Sequence, residues 1–530
     1  MLKILKIILK EPSSKIILAL YPLIALLSGI LLVYSNDMLR NVFNNHIMLL
    51  EFNNFLYSTL FVVGLFVSLF LLRVVNSYIK EKLHHTGANN LIEHYTNKLL
   101  KADYSYYHKK EAPAIWDKLE RSTIGTGNFF GSLISSISTM ISFVFYAIVI
   151  FRINLFAGLI TMIAIPIYFF LTVGFNKNFM SLQMELANSM GQLAVVGQEP
   201  LENVVNVKTK NAYGFFVNRI MKIQRKISKL FRKFNVLSEY HNGITGLVSV
   251  VVPILVLFAT LQVSDTFTTD MGTVLILYIN IPLFLSGFTS IYKKYIMYKT
   301  HRHFINGLLE FDDMPIEHSG EIEINDFENL EVKGVKVRFD DTRIISIPDF
   351  VVKKGERVMI FGESGIGKST IFNIIVGIHT EYEGDIIING INLRNISTYS
   401  LRNVFGIVLQ SVNIFSMSLE DNILLGIPND NLNESVSLAN LKEQMDFKVD
   451  QELNNKVVSG GEKSRVGLAQ TLARNTQVLM IDETFSSIDE GMEERIVKGL
   501  FEMHPHKTFI CISHRSSSQT YFDKFVDFNL

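Results

Sequence analysis

Six stretches of this 530-residue chain contain no Asp, Glu, Lys or Arg: about Ile16–Ser35, Phe55–Leu72, Leu133–Phe151, Asn154–Phe175, Gly243–Ser264 and Gly272–Tyr292. Each is long enough to cross a bilayer as a helix. One such run also fits a buried core helix, but six at these spacings fit a helical membrane domain. Composition agrees: 48% of residues are hydrophobic, Phe alone occurs 40 times, and mean hydropathy is +0.26. Lys+Arg and Asp+Glu balance at 50 each, so no net charge argues for a nucleic-acid partner.

The distribution of charge orients the spans. Lys3, Lys6, Lys10 and Lys15 precede the first run. The long connectors at about 73–132 and 176–242 are rich in Lys and Arg, including Lys222, Arg225, Lys226, Lys229, Arg232 and Lys233. The three remaining connectors hold only Arg40 and Arg152. By the positive-inside rule both termini are expected in the cytoplasm. A juxtamembrane origin accounts for the basic runs, which need no nucleic-acid surface. Pro22, Pro166, Pro253 and Pro282 fall inside spans, as membrane helices tolerate.

The last two hundred residues change character. Arg357–Phe361 reads as a buried strand, and Gly362–Thr370 follows it as GESGIGKST, with a helical run after that. The pattern is G-x-x-x-x-G-K-S. Gly362, Gly365 and Gly367 allow backbone N–H groups to converge on phosphate oxygens, with Glu363, Ser364 and Ile366 filling the loop. Lys368 supplies a point charge for the β/γ-phosphates, Ser369 a hydroxyl for Mg²⁺, and Thr370 opens the helix. Further on, Val478–Ile481 is an apolar strand that ends in Asp482 and Glu483. Asp482 suits Mg²⁺ held through water, and Glu483 suits polarising an attacking water. Gln410 ends the apolar run Val404–Leu409, and His514 ends the strand Thr508–Ser513, both where a γ-phosphate sensor belongs; Gln410 is also a candidate metal ligand. Ser459-Gly460-Gly461 forms a second small-residue turn suited to phosphates.

With these motifs in this order, the chain resembles an ATP-binding cassette (ABC) transporter half of the exporter type, membrane and nucleotide domains fused. The matching residues are the phosphate loop, Gln410, Ser459-Gly460-Gly461, Asp482-Glu483, Ser486-Ser487-Ile488-Asp489 and His514. The resemblance implies an all-α six-helix transmembrane domain plus an α/β P-loop NTPase (ABC ATPase) domain. The expected boundaries are a membrane domain at 1–307, a linker at 308–328 and the nucleotide-binding domain at 329–530. The resemblance also implies ATP and Mg²⁺ as cofactors and a head-to-tail dimer, more readily a homodimer than a heterodimer. Each ATP would lie between one chain's phosphate loop and the other's Ser459-Gly460-Gly461, with Asp489 close by. Coupling helices are expected near Tyr106–Trp116 and Asn203–Tyr213. The expected setting is the bacterial cytoplasmic (inner) membrane.

Two positions depart from the family. Glu462 stands where the signature carries Gln, and Asp341 falls where an aromatic would stack on adenine. No charge lies in the middle of any span, so an ion pathway is not indicated. Tyr57, Tyr146, Tyr168, Tyr278 and Asn280 are candidate cavity residues, and such a surface suits a lipid, a drug-like molecule or a hydrophobic peptide. Cys511 is the single cysteine, which leaves no disulfide framework and no metal-ligand cluster of cysteines. The expected function is ATP-driven export by alternating access. Alternatives are a membrane sensor with weak ATP use and no transport, and an importer built on the same membrane fold.

Overall fold

The computed structural model describes residues 2–47, 52–108, 112–263, 270–338, 344–442, 458–484, 488–513 and 519–529. His514, Asp341, Ser486 and Ser487 lie outside the described residues, and Tyr168 is described for its backbone only. The chain separates into two compact units, Met1–Leu99 with Pro113–Asp313 and Leu100–Ala112 with Met314–Leu530.

The first unit is helical. A short α1 (Leu2–Ile8) precedes α2 (Pro12–Asn41), whose start carries Pro12 in the first turn, where a missing N–H costs nothing. Then come α3 (Phe52–Leu100), α5 (Ala112–Ile153), α6 (Leu155–Glu202), α7 (Val204–Thr209), α8 (Tyr213–Val263) and α9 (Met271–Asp312), while α4 (Tyr104–His108), between α3 and α5 in the chain, belongs to the second unit. Among the described residues, five stretches are long and apolar enough to cross a membrane: Pro12–Asn45, Phe55–Leu100, Ala112–Ile153, Tyr213–Thr260 and Met271–Tyr295. A shorter apolar segment, Leu155–Ile167, opens α6, the helix that carries the fourth charge-free run. The four span prolines sit inside α2, α6, α8 and α9 without ending them.

Several helices outrun their apolar segments. α3 continues 28 residues past Leu72, and α6 and α8 run 48 and 51 residues. At 1.5 Å per residue, the charged end of α3 extends roughly 40 Å beyond its apolar run. Short helices follow in the chain: α4 comes after α3, and α7 between α6 and α8. Within the unit, Phe143 stacks on Phe284 at 4.5 Å, in a cluster with Tyr146, Ile150, Val256, Leu277 and Ile281.

The second unit holds two sheets. β1 (Asn329–Arg338) is the centre of an antiparallel sheet with β2 (Ile344–Ser346), β3 (Phe350–Lys353), β5 (Glu383–Ile388) and β6 (Ile391–Asn392). β4 (Arg357–Phe361), β7 (Phe405–Val408), β8 (Val478–Asp482), β9 (Thr508–Ile512) and β10 (Lys524–Asp527) form a parallel sheet in the order β10-β4-β9-β8-β7. β8 and β9 are buried at every position, as continuous apolar runs in a covered parallel sheet must be. Among the described residues, these α-helices accompany them: α10 (Lys368–Ile375), α11 (Thr398–Val404), α12 (Leu419–Leu424), α13 (Leu432–Leu438), α14 (Gly460–Ala473) and α15 (Glu490–Met503). The segment at 100–112 belongs here through backbone bonds from Asp103 N–H to Pro315 O (2.9 Å) and from Glu317 N–H to Lys101 O (3.0 Å).

Candidate functional site

The parallel sheet brings its functional residues to one edge. The phosphate loop leaves the C-terminal end of β4, Asp482 ends β8, and Gln410 follows β7. Ligands in open α/β sheets bind in this crevice.

The loop's shape depends on glycine. Gly367 has φ +109° and is buried, and a Cβ there would stand 2.4 Å from Ile345 Cγ2 on β2. Ser364 and Gly365 are exposed at the loop's tip, and Ile366 tucks against the core. Glu363 donates its N–H to Asn529 Oδ1 at 2.8 Å, and Thr370 N–H bonds Gly367 O at 3.1 Å. α10 starts at Lys368, so its first N–H groups face the loop.

Lys368 is 4% exposed, and its ammonium donates to Gly362 O (2.8 Å) and Glu363 O (2.9 Å). The same nitrogen lies 3.7 Å from Glu483 Oε1. Gln410 Nε2 donates to the other carboxylate oxygen, Glu483 Oε2, at 3.1 Å. Glu483 itself is held at φ +44°, with its N–H on Ile512 O at 3.1 Å. A non-glycine residue in that region is strained by about 1–3 kcal/mol, and such strain concentrates at functional sites. Beside it, Ser369 Oγ donates to Asp482 Oδ1 at 2.9 Å. Burial pushes the Asp482 carboxyl above its usual range and Glu483 adds to this, while the Ser369 hydroxyl and Lys368 oppose it.

This donor set is hydroxyl, carboxylate and carboxamide. Hard oxygen ligands of that kind match Mg²⁺, so Ser369, Asp482 and Gln410 fit the ion. The phosphate loop, Lys368, Ser369, Gln410, Asp482 and Glu483 are thus one connected cluster.

The other two motifs lie on helix starts. Ser459 caps α14: Ser459 Oγ accepts from Glu462 N–H at 3.3 Å, and Glu462 Oε2 accepts from Ser459 N–H at 2.9 Å. The signature therefore opens on a reciprocal capping box, leaving Gly460 exposed at the helix start. Asp489 caps α15 and accepts from Met492 N–H at 2.9 Å.

Sequence reasoning overlooked two contributors. Ser459 and Glu462 spell S-x-x-E, the capping-box spacing, which makes the departure at Glu462 a helix-cap feature. Thr484 Oγ1 donates to Val408 O at 3.2 Å, tying the turn after Glu483 to the end of β7. Only its place next to Asp482-Glu483 could have signalled it.

Tyr57 and Tyr278 are exposed, whereas Tyr146 and Asn280 are buried. Asn280 Nδ2 donates to Asn36 Oδ1 at 2.7 Å, a helix-packing contact between α9 and α2. Cys511 is buried in β9, and burial raises its thiol pKa, which removes it as a nucleophile near neutral pH.

Comparison with known proteins follows the same division of the chain. Residues 16–286 match the ABC transporter transmembrane region, and residues 346–486 match the ABC transporter family. A probable ABC transporter ATP-binding/permease protein of Haemophilus influenzae is 25% identical over 73% of this chain and 73% of its own length. An uncharacterized ABC transporter ATP-binding protein of the same organism is 31% identical over 37% of this chain and 36% of its own. The lactococcin-A transport/processing ATP-binding protein of Lactococcus lactis is 28% identical over 69% of this chain and 52% of its own. An ATP-dependent lipid A-core flippase of Syntrophus aciditrophicus is 31% identical over 38% of this chain and 34% of its own. Across these four, the chain spans between about a third and three quarters of the relative's length. Among solved structures, a bacterial Atm1-family ABC exporter with ATP bound superposes with a TM-score of 0.78 at 20% identity, covering 97% of this chain and 94% of that one. At that identity the likeness establishes the fold.

Proposed function

Because the chain belongs to the ABC transporter family, with transmembrane region and ATPase on one polypeptide, we propose that it hydrolyses ATP to drive export of an amphipathic or hydrophobic substrate. The observation that carries this reading is the carboxylate of Glu483, held between Lys368 and Gln410 next to the Ser369–Asp482 pair. The phosphate loop and the start of α10 receive the β- and γ-phosphates, and Lys368 exchanges its bonds to Gly362 O and Glu363 O for phosphate oxygens. Ser369, Asp482 and Gln410 would hold Mg²⁺, which would supply charge neutralisation for the phosphates. Glu483 orients and polarises the attacking water. The role of γ-phosphate sensor falls to His514, as the resemblance implies.

The ATP site is completed by a second copy of the chain. The exposed start of α14 at Ser459-Gly460-Gly461 offers backbone N–H groups to the partner's nucleotide, and the capping box presets that turn. Asp489 stands at the neighbouring α15 start. The segments near α4 and α7 act as coupling helices that carry closure of the ATPase pair to the bundle. Closure shifts the bundle only by its differential affinity for ATP in the two states. Both termini lie in the cytoplasm of a bacterial cell, by the distribution of Lys and Arg.

The substrate class rests on the apolar, uncharged centres of the spans. It is tested by reconstituting the chain in vesicles with fluorescent lipid, peptide and dye probes. ATP-dependent accumulation of at least one probe, absent in Lys368→Ala, supports the reading. ATP hydrolysis with no movement of any probe class would point to a sensor instead.

A further inference from the structure

On α3, beyond the apolar run, Glu81, His84 and His85 stand at i, i+3 and i+4. Each offers one ligand atom, and the three atoms lie within 4.8 Å of one another. Adjacent residues on a helix do not face each other, but both imidazoles reach the carboxylate one turn back. The two rings sit with centroids 4.9 Å apart and 68° between planes. Glu81 and His85 are exposed and accessible to solvent.

His84 is the unusual member. Its side chain is 16% exposed, and both ring nitrogens are buried. Glu81 Oε2 approaches Nδ1 at 3.9 Å, and the Asn128 side chain is the ring's hydrogen-bonding neighbour. The neighbouring helix gives way around it: a Cβ on Gly127 would meet Nε2 at 3.2 Å, and Gly131 also faces the ring. A cavity of about 50 Å³ lined by His84, Gly87, Gly127 and Gly131 adjoins the site. Lys80 holds Glu81 Oε1 at 2.6 Å and so steadies the carboxylate.

We propose that Glu81, His84 and His85 bind one divalent transition-metal ion of the zinc type through two imidazoles and a carboxylate. Two imidazoles select against Mg²⁺ and Ca²⁺, and the fourth position of a tetrahedral ion is left for water. Metal–ligand bonds of about 2.0–2.1 Å place tetrahedral ligand atoms roughly 3.4 Å apart, so closing the site from its present span needs side-chain movement of about 1 Å or a little more. Two of the three side chains are exposed and can supply that movement. The ion would bind the folded helix alone, tying two of its turns together where α3 packs on α5.

The test uses the purified full chain, free of any polyhistidine tag and stripped by a chelator. Equilibrium dialysis against Zn²⁺ is followed by metal analysis, and Co²⁺ is added separately to read its visible ligand-field bands. The expected result is one more equivalent bound by the wild type than by His85→Ala or Glu81→Gln, with tetrahedral Co²⁺ bands lost in both. These two positions are exposed, so helicity by circular dichroism and nucleotide binding should be unchanged. His84→Gln, at the buried position, should lose the same equivalent. Equal uptake by wild type and the exposed variants, or no uptake by the wild type, would overturn the proposal.

Discussion

Gly367→Ala separates two reasons for a glycine in the phosphate loop. The backbone at this position has φ +109° and ψ 13°, and the missing Cβ would stand 2.4 Å from Ile345 Cγ2. Holding an L-residue in that backbone region costs about 1–3 kcal/mol. Displacing Ile345, itself buried in the core, costs a further 1–3 kcal/mol or so. The total is about 2–6 kcal/mol. It emerges as lost stability if the loop keeps its shape, or as weaker ATP binding by up to about 10⁴-fold if the loop relaxes. Ile345→Ala removes the clashing methyl but not the backbone strain. In that background Gly367→Ala should cost only the first part, so the double-mutant cycle returns a coupling of about 1–3 kcal/mol. The assay is fluorescent-nucleotide titration of the full chain together with its unfolding transition. An identical loss in both backgrounds would refute the contact argument, and no loss in either would refute both.

Other expectations follow from the same geometry. Ser459→Ala removes the cap of α14 and should cost about 1 kcal/mol, whereas Glu462→Gln keeps an acceptor for Ser459 N–H and should stay within a few tenths. Unfolding of the two variants without nucleotide checks this, and an equal loss in both would deny the capping box its role. Asp482 binds its proton more tightly folded than unfolded, so in the absence of Mg²⁺ it lowers stability at neutral pH. That penalty is relieved as pH falls through its raised value towards the ordinary carboxylate value of about 3.9. Asp482→Asn should therefore raise the chelator-treated melting temperature at neutral pH and weaken Mg²⁺ binding. A lower melting temperature would contradict the sign. For the wild type, the apparent Mg²⁺ affinity, read by titration at several pH values, should fall on acidification at a higher pH than a free aspartate would give.

The parts visible in the sequence are those where one residue type answers a local demand. Gly367 is needed at a positive φ under Ile345, and Lys368 and Ser369 follow it at the helix start, so loop and cluster could be read from spacing alone. The charge-free runs likewise mark apolar helix segments, because a bilayer admits little else. Features set by distant partners stayed hidden. The long, periodic connectors at about 73–132 and 176–242 suit helices that continue beyond the apolar runs, as α3, α6 and α8 do, but hydropathy does not mark where each helix ends. Nothing in Lys101–Asp103 announces pairing with residues 315–317, because those backbone bonds depend on where two distant segments meet. Tyr146 and Asn280 resembled cavity residues by polarity alone, and burial against α2 neighbours was needed to assign Asn280 to packing. The capping box at Ser459 and Glu462 was legible by spacing, but the departure from the family pattern drew attention to charge instead of hydrogen bonding.

The central claim is that Glu483, poised between Lys368 and Gln410, activates water for ATP hydrolysis. The direct measurement is Mg-ATP turnover by the full chain in nanodiscs, beside Glu483→Gln and Lys368→Ala, with nucleotide binding measured in each. The account predicts that Glu483→Gln retains ATP but loses turnover by about 10²–10⁴-fold, as removal of a general base does. Lys368→Ala should lose both. Turnover by Glu483→Gln at the wild-type rate would contradict the assignment.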